Sequence, residues 1–370
     1  MILPFKIMSK LIYILILLGL SQLSFAQEAA EKSSSKKIKL DYTIYADAYY
    51  AYFNRLNGEI LQEVTTVSAR HNSIGINMAQ IGLHATADNL RSNIIFHAGD
   101  IVKATWDPNF SMVQEANVGA QLCNGLWLDA GFFATHIGTE SFLPKNNFTS
   151  STAVATFNEP FYQAGIRLSY EAINRLTAEL WFLNGYNQFT DINSAKSVGV
   201  LLGYDFNDKI SISYSNILGR ESLDMADTAF FRTYHNLYFT VNATNKLDLI
   251  FGADVGTQHY NATEDFSEYM YNFLITANYK IAPRWSVTGR FERFEDPDGF
   301  ISGAYELSAG DETGLNLNGY TFGISYIPHP NVYLTTEARL LTTSDDLAVF
   351  ENTTSRTEVM FNMGFYLNKR

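Results

Sequence analysis

The chain has 370 residues and carries 26 Lys and Arg against 38 Asp and Glu, a formal charge of −12. That balance argues against nucleic acid as a partner, which calls for clustered Lys and Arg. The single cysteine, Cys123, excludes an intrachain disulfide and a thiolate metal cage. Charged residues make up 17%, below the roughly 25% usual for soluble domains, while 27 Phe, 22 Tyr and 24 Gly tilt the composition towards a membrane-embedded strand protein.

In chain order, Lys6 and Lys10 precede the apolar run Leu11 to Leu20, and Ser24-Phe25-Ala26 stands before Gln27. A positive start, a short apolar run and a small-x-small site read as a secretory signal peptide, residues 1–26. The run is shorter than the roughly 20 residues a spanning helix needs. Removing two lysines takes the mature charge from −12 to −14. Residues 27–39 are Ser/Lys-rich and read as a flexible periplasmic leader.

From Leu40 the pattern changes to a two-beat alternation. Leu40, Tyr42, Ile44, Ala46, Ala48 and Tyr50 face one way, and Asp41, Thr43, Tyr45, Asp47 and Tyr49 the other. The clearest hairpin lies between Phe161 and Asn187. Tyr162, Ala164, Ile166, Leu168 and Tyr170 alternate with Gln163, Gly165, Arg167 and Ser169; a turn at Glu171–Arg175 leads into Leu176, Ala178, Leu180 and Phe182 against Thr177, Glu179 and Trp181. One apolar wall tipped with aromatics and one polar wall suit a membrane-spanning β-barrel. The last run sets Val359, Phe361, Met363 and Phe365 against Glu358, Met360, Asn362 and Gly364, and closes the cylinder beside the first strand. Closure is a physical demand, because an open sheet edge in lipid strands its backbone donors and acceptors.

The connections alternate in size. Tight reversals fall near Ala87–Asn89, Cys123–Gly125, Glu171–Arg175, Asp205–Asp208, Thr244–Lys246, Ala282–Arg284 and Pro328–Asn331. Long polar stretches lie between them: Asn54–Asn72, Lys103–Met112, Gly138–Ala155, Asn184–Ala195, Gly219–Ala229, Gln258–Glu268, Glu295–Asn316 and Thr342–Ser355. Seven short and eight long connections join about sixteen strands (14–18) in an all-β, closed antiparallel barrel over residues 40–370. Short turns then face the periplasm and long loops the exterior.

Several phrases carry a family resemblance: Asn72-Ser-Ile-Gly-Ile-Asn-Met-Ala-Gln-Ile-Gly-Leu83, Phe96-His-Ala-Gly-Asp100, Gln114-Glu-Ala-Asn-Val-Gly119, Leu126-Trp-Leu-Asp-Ala-Gly-Phe-Phe133, His136-Ile-Gly-Thr-Glu-Ser141, Asn158-Glu-Pro-Phe-Tyr-Gln-Ala-Gly165 and Leu183-Asn-Gly-Tyr-Asn187. Together they resemble the OmpL-like β-barrel porins of Bacteroidetes-type bacteria, over roughly residues 40–370. The resemblance implies an outer-membrane porin and supplies no catalytic or ligand residues. One departure is the C-terminus, Phe365-Tyr-Leu-Asn-Lys-Arg370, whose aromatics sit inside the end rather than at it.

A barrel of about sixteen strands is too wide for side chains to fill, so water occupies it unless a loop or helix plugs it. Arg167, Glu179, Arg290, Glu292, Glu337 and Arg339 are expected to line the lumen and set ion preference. The plainer reading is that Arg290/Glu292 and Glu337/Arg339 neutralise each other on a wetted wall. The loop Gly138–Ala155, with Glu140, Phe142 and Lys145, either folds inward as a constriction or stays exposed outside. Inward Trp127, Phe133 and Trp181 form either a stacking track for sugars or packing beneath an infolded loop. The seven His are scattered without metal-ligand spacing, so no metal or cofactor is expected. The reading is a passive channel for small hydrophilic solutes or ions, embedded in outer-membrane lipid, with a homotrimer in view. A membrane-embedded hydrolase and an adhesive barrel working through its long loops are the alternatives.

Overall fold

The structure is a computed structural model that describes residues 37–221, 230–260, 266–307, 311–344 and 347–369. The signal-peptide reading and most of the leader therefore lie outside the described residues. Sixteen strands make the wall: Lys39–Phe53 (β1), Ser73–Ala87 (β2), Leu90–Ala98 (β3), Val113–Cys123 (β4), Leu126–Ala134 (β5), Tyr162–Tyr170 (β6), Leu176–Leu183 (β7), Ser197–Asn207 (β8), Ile210–Arg220 (β9), Phe230–Asn242 (β10), Leu247–Tyr260 (β11), Phe266–Ala282 (β12), Trp285–Glu295 (β13), Asn316–His329 (β16), Val332–Thr343 (β17) and Ser355–Lys369 (β18). A small hairpin, Tyr305–Glu306 (β14) with Glu312–Thr313 (β15), decorates the loop after β13. Every wall strand pairs antiparallel with its neighbours, and β1 pairs with both β2 and β18, so the sheet closes on itself.

The two-beat pattern decides which way each side chain points. On β18, Val359, Phe361, Met363 and Phe365 are exposed on the outside, while Glu358, Met360 and Asn362 are buried inside. On β1, Ile44 and Tyr50 face out and Tyr45, Asp47 and Tyr49 face in. Exposed Ile, Leu and Phe around the barrel form the lipid-facing band, with Tyr170, Tyr204, Tyr279 and Trp285 near the short-turn rim. Trp285 stacks on Tyr326 of the next strand, centroids 4.5 Å apart.

The short turns follow from local chemistry. Between β4 and β5, Gly125 takes a φ of +75°, and a Cβ there would lie 2.6 Å from the Ala172 nitrogen of the neighbouring turn. Only glycine meets both conditions without strain. The predicted reversals match in place, but several long connections differ in extent. The third widens to residues 135–161, because β5 stops at Ala134 and β6 starts only at Tyr162. The Gln258–Glu268 connection shrinks, because β11 and β12 stay paired up to Tyr260 and Phe266, beyond the apolar band that marks a strand in sequence. The second contains a short helix, Asp100–Thr105.

The wall is uneven. β3, β5 and β6 have 9 residues and β7 has 8, whereas β1, β2 and β18 have 15 and β12 has 17. At about 3.3 Å per residue, one side of the cylinder is little more than half as tall as the other.

Loops fold back into the extracellular half of the bore and build an apolar core against the inner wall. Phe133, Trp181, Leu183, Ile217, Tyr234, Met270, Phe294, Leu317 and Leu341 from successive strands pack with Val64, Val154, Ala155, Leu315, Leu347 and Phe350 from the long connections. On the opposite side, Tyr45 and Met78 pack with Val67, Ile101, Phe142, Leu143 and Phe161. At about 1.5–3 kcal/mol for each large apolar side chain taken out of water, this interior is held as firmly as a soluble domain's core.

Candidate pore and the segment folded into it

The connection between β5 and β6, residues 135–161, enters the bore and returns; the Thr135 amide donates to the Phe161 carbonyl at its neck, 3.1 Å. A one-turn 3-10 helix at Pro144–Asn146 and a short helix at Val154–Asn158 shape it. Infolded backbone brings amides and carbonyls that need partners away from water. Inward-pointing charges on the wall supply them. Glu337 accepts from the Ser150 amide at 2.8 Å, the Ser151 amide at 3.2 Å and the Ser151 hydroxyl. Glu292 accepts from the Val154 amide at 2.6 Å. Arg290 donates to the Ser151 carbonyl at 2.7 Å, to Thr149 Oγ1 at 2.8 Å and to Glu140 at 3.0 Å.

These groups belong to a ladder of alternating charge along β13, β17 and β18. Arg339 donates to Glu292 at 2.8 Å and stands 3.6 Å from Glu358, and Arg356 donates to Glu358 at 2.8 Å. The side chains of Arg290, Glu292, Arg339, Glu358 and Arg356 are wholly buried. Of the two expected pairs, Arg290 stands 3.6 Å from Glu292, but Arg339 turns to Glu292 and Glu358 while Glu337 holds the Ser150 and Ser151 amides; the wall is dry rather than wetted, because the infolded segment covers it. The apolar core above the ladder removes water and strengthens each contact.

The other expected charges sit across the bore. Arg167 on β6 reaches Asp129 at 3.2 Å and stands 3.6 Å from Glu179 on β7. Asp129 also takes a bidentate contact from Arg91, 2.6 Å to each oxygen. The two expected charge sets are thus separate. Glu140 joins the ladder through Arg290, whereas Phe142 is buried against Trp106, centroids 5.5 Å apart, and the Lys145 ammonium lies 4.9 Å over the Tyr45 ring. The aromatics do not form a track. Phe133 and Trp181 meet edge to face at 5.1 Å beneath the infolded segment, while Trp127 stands apart under the Arg91 guanidinium, 4.4 Å away.

His136 anchors the neck of the segment. Its ring stacks on Trp181 at 4.8 Å; Nε2 meets the Asn216 carbonyl at 2.8 Å and Nδ1 meets the Gln163 head group at 2.7 Å. A neutral ring donates through one nitrogen only. The Gln163 amide nitrogen, which otherwise has no partner, belongs on the Nδ1 side. Burial pushes the imidazole pKa down to about 4. Burial also raises the Glu159 carboxyl well above its ordinary value, reinforced by the charges of Asp254 and Glu140.

Sequence reasoning missed Arg356, whose spacing to Glu358 repeats that of Arg290/Glu292 and Glu337/Arg339, and it missed Glu159, Asp254, Asn236 and Asn272. The first had a signal; the others, isolated polar residues on inner faces, had none.

Beneath the segment the bore is open. One cavity of about 620 Å³ is lined by Glu115, His136, Glu140, Glu159, Arg175 and Asp205 among others. A second, of about 280 Å³, has Lys145, Lys280, Arg284 and Tyr366 on its wall. The segment divides the periplasmic side into an acidic and a basic vestibule.

A closed sixteen-strand barrel, apolar outside, with short turns at one rim and a long connection folded into its bore, defines an outer-membrane porin. Residues 39–367 match the family described as "Putative beta-barrel porin-2, OmpL-like", and the chain belongs to that family. No curated protein matches it. Solved structures similar to it include an anion-selective porin from Comamonas acidovorans (12% identity, TM-score 0.58, covering 90% of this chain and 100% of that one). The outer-membrane channel DcaP of Acinetobacter baumannii is also similar (11%, 0.60, 91% and 99%). So is OmpT, an outer-membrane protein of Vibrio cholerae, in its trimer form (10%, 0.60, 89% and 99%). At these identities the likeness is one of fold.

Proposed function

We propose that this porin is a loop-gated diffusion channel for small hydrophilic solutes and ions, closed when residues 135–161 lie in the bore. The observation that carries the reading is the ladder: wall arginines and carboxylates bind the segment through its backbone at Ser150, Ser151 and Val154. Such contacts hold a plug without depending on its side chains. In the open state, Arg290, Glu292, Glu337 and Arg339 become pore-lining charges on one wall and Arg167 and Glu179 on the other, with Glu140, Phe142 and Lys145 on the withdrawing segment. The chain's charge of −12 and the acidic larger vestibule favour cations. Liposomes carrying the refolded protein should swell in small sugars, and the reversal potential under a salt gradient should have the sign of a mild cation preference. Vesicles that stay impermeable to every solute would sink the reading.

The outer-membrane setting carries three further proposals. The signal peptide is residues 1–26, so mature protein from outer membranes should begin at Gln27. The barrel sits in outer-membrane lipid through its apolar band. It assembles as a homotrimer through its short wall, where Ile166, Leu180 and Phe182 are exposed; chemical crosslinking in native membranes should stop at three subunits.

The hydrolase alternative has one observation on its side: His259 Nδ1 lies 2.9 Å from Ser267 Oγ between paired strands near the long-loop rim. A fluorophosphonate probe should leave Ser267 unlabelled; labelling there would revive that reading.

A further inference from the structure

Acidic residues outnumber basic ones in this chain by 38 to 26, yet the smaller cavity, of about 280 Å³, has no Asp or Glu on its wall. Three cations line it instead: Lys145 at the tip of the infolded segment, Lys280 near the end of β12 and Arg284 in the turn to β13. Like charges gathered around one space repel each other unless an anion lies among them. Lys280 has one carboxylate, Asp248, at 2.9 Å. Arg284 makes no ion pair among the described residues. The Lys145 ammonium lies over the rings of Tyr45 at 4.9 Å and Tyr366 at 5.9 Å, contacts that attract a cation without cancelling its charge. The basic vestibule is a positive concavity in a negative protein.

Hydroxyls complete the wall. Lys280 pairs across strands with Ser286, Ser286 with Ser325 and Ser325 with Thr335, so these four residues share one inward-facing row over β12, β13, β16 and β17. All four line the cavity. Ser325 Oγ and Thr335 Oγ1 share one hydrogen bond of 3.0 Å. From the other side comes Ser150, whose amide donates to Glu337 at 2.8 Å. Ser150 is only 2% exposed, and its hydroxyl is buried at the cavity wall with no hydrogen-bond partner. A buried hydroxyl calls for a partner, and the cavity is where this one can find it.

We propose that the basic vestibule binds one small oxyanion, the carboxylate or phosphate group of a periplasmic solute, between Lys145 and Ser150 of the segment and Lys280 and Arg284 of the wall. The ammonium and guanidinium groups supply charge-assisted bonds, Arg284 with a planar fork that fits two oxygens, and the hydroxyls supply neutral ones. Approach is from the short-turn side. Arg284 is exposed in its turn, and the Tyr366 hydroxyl donates to the Pro330 carbonyl of another short turn at 2.7 Å. Lys145 and Ser150 reach the cavity only while residues 135–161 lie in the bore. Anion binding and retention of the segment are therefore linked, and each favours the other. A periplasmic anion thereby helps to hold the channel shut. That last step rests on the reading of the segment as the closing element, whereas the binding does not.

The test uses the full chain in detergent micelles, titrated calorimetrically with inorganic phosphate and, separately, with malonate, at an ionic strength held constant with sodium chloride. Expected is one saturable site per barrel for at least one of the two. Lys280→Gln and Arg284→Gln should each weaken it by about tenfold or more, and Lys209→Gln, in the turn between β8 and β9, should leave it unchanged. Binding of malonate alone assigns the solute to the carboxylates, and binding of phosphate alone to the phosphates. No saturable binding of either anion, or wild-type affinity in both variants, overturns the proposal. Should a variant fail to fold, the wild type alone decides: the anion should protect residues 135–161 from protease beyond what chloride does, and equal cleavage overturns the site. Conductance plays no part in these readouts, so their failure would leave the porin reading standing.

Discussion

Two stretches of the inner wall hold the same segment by different means. On β13, β17 and β18, arginine and glutamate alternate: Glu292 stands between Arg290 and Arg339, Glu358 between Arg339 and Arg356, and Glu337 takes the backbone of the segment. On β10–β12 a carboxylate sits between two asparagines and faces a second carboxylate, with no basic partner among the described residues. The first wall grips the segment through charge. The second grips it through a neutral contact, Asn236 donating to Thr139 Oγ1 at 2.9 Å. A plug held by charge on one side and by neutral hydrogen bonds on the other can swing about the charged side.

The comparison breaks most readily at Arg290. Arg290→Ala strips the cation from Glu140 and the one facing Glu337, and leaves Glu292 to Arg339 alone; unpairing a buried charge costs about 3–5 kcal/mol. The segment should leave the bore, read as rapid protease cleavage within residues 135–161 while the barrel itself stays intact. If the segment remains as resistant as in the wild type, the ladder is not what retains it.

Next in size is the effect of acid. His136 is buried neutral with a pKa near 4, so between the ordinary value of 6.5 and 4 only the released ring takes up a proton. Its contribution to retention is present above about pH 6.5 and lost as pH falls towards 4. Glu159 acts in the opposite sense, because its raised pKa favours the infolded state as the carboxyl protonates. The difference between wild type and His136→Phe isolates the imidazole: the wild type should become the more protease-sensitive on going from pH 7 to pH 4.5, and parallel curves would remove His136 from the account.

A smaller change is expected from Glu337→Gln. The Ser150 and Ser151 amides meet different oxygens of Glu337, so the single amide oxygen keeps one of them and the NH2 group faces the other, while the charge facing Arg290 is lost; charge-assisted bonds are worth roughly twice neutral ones, so cleavage should rise, by less than in Arg290→Ala. Least of all is expected from Trp127→Ala. It removes a contact to Arg91 of about 0.5–1 kcal/mol, and Arg91 keeps its two bonds to Asp129. Cleavage and permeability should not change measurably.

Much of the wall was legible because a strand's alternation fixes its faces: Val359, Phe361 and Phe365 had to face lipid once Glu358 and Asn362 faced in. The turns were legible because Gly125 and the Asn and Asp residues carry their own backbone preferences. Arg290, Glu292, Glu337 and Arg339 were recognisable as inward charges, and Arg356 beside Glu358 repeats their spacing. What those charges touch was not legible. Glu337 binds the backbone of Ser150 and Ser151, and a backbone partner leaves no trace in residue types. The contact of Asn236 with Thr139 is equally silent, since it joins residues 97 positions apart through a loop whose path the sequence does not dictate.

The central claim is that residues 135–161 close this porin from within. Single-channel recording in planar bilayers tests it most directly, comparing the wild type with a variant in which residues 139–154 are replaced by a short glycine linker. The account predicts brief, infrequent steps for the wild type and large, sustained steps for the variant. Equal conductance and open probability in the two would contradict it.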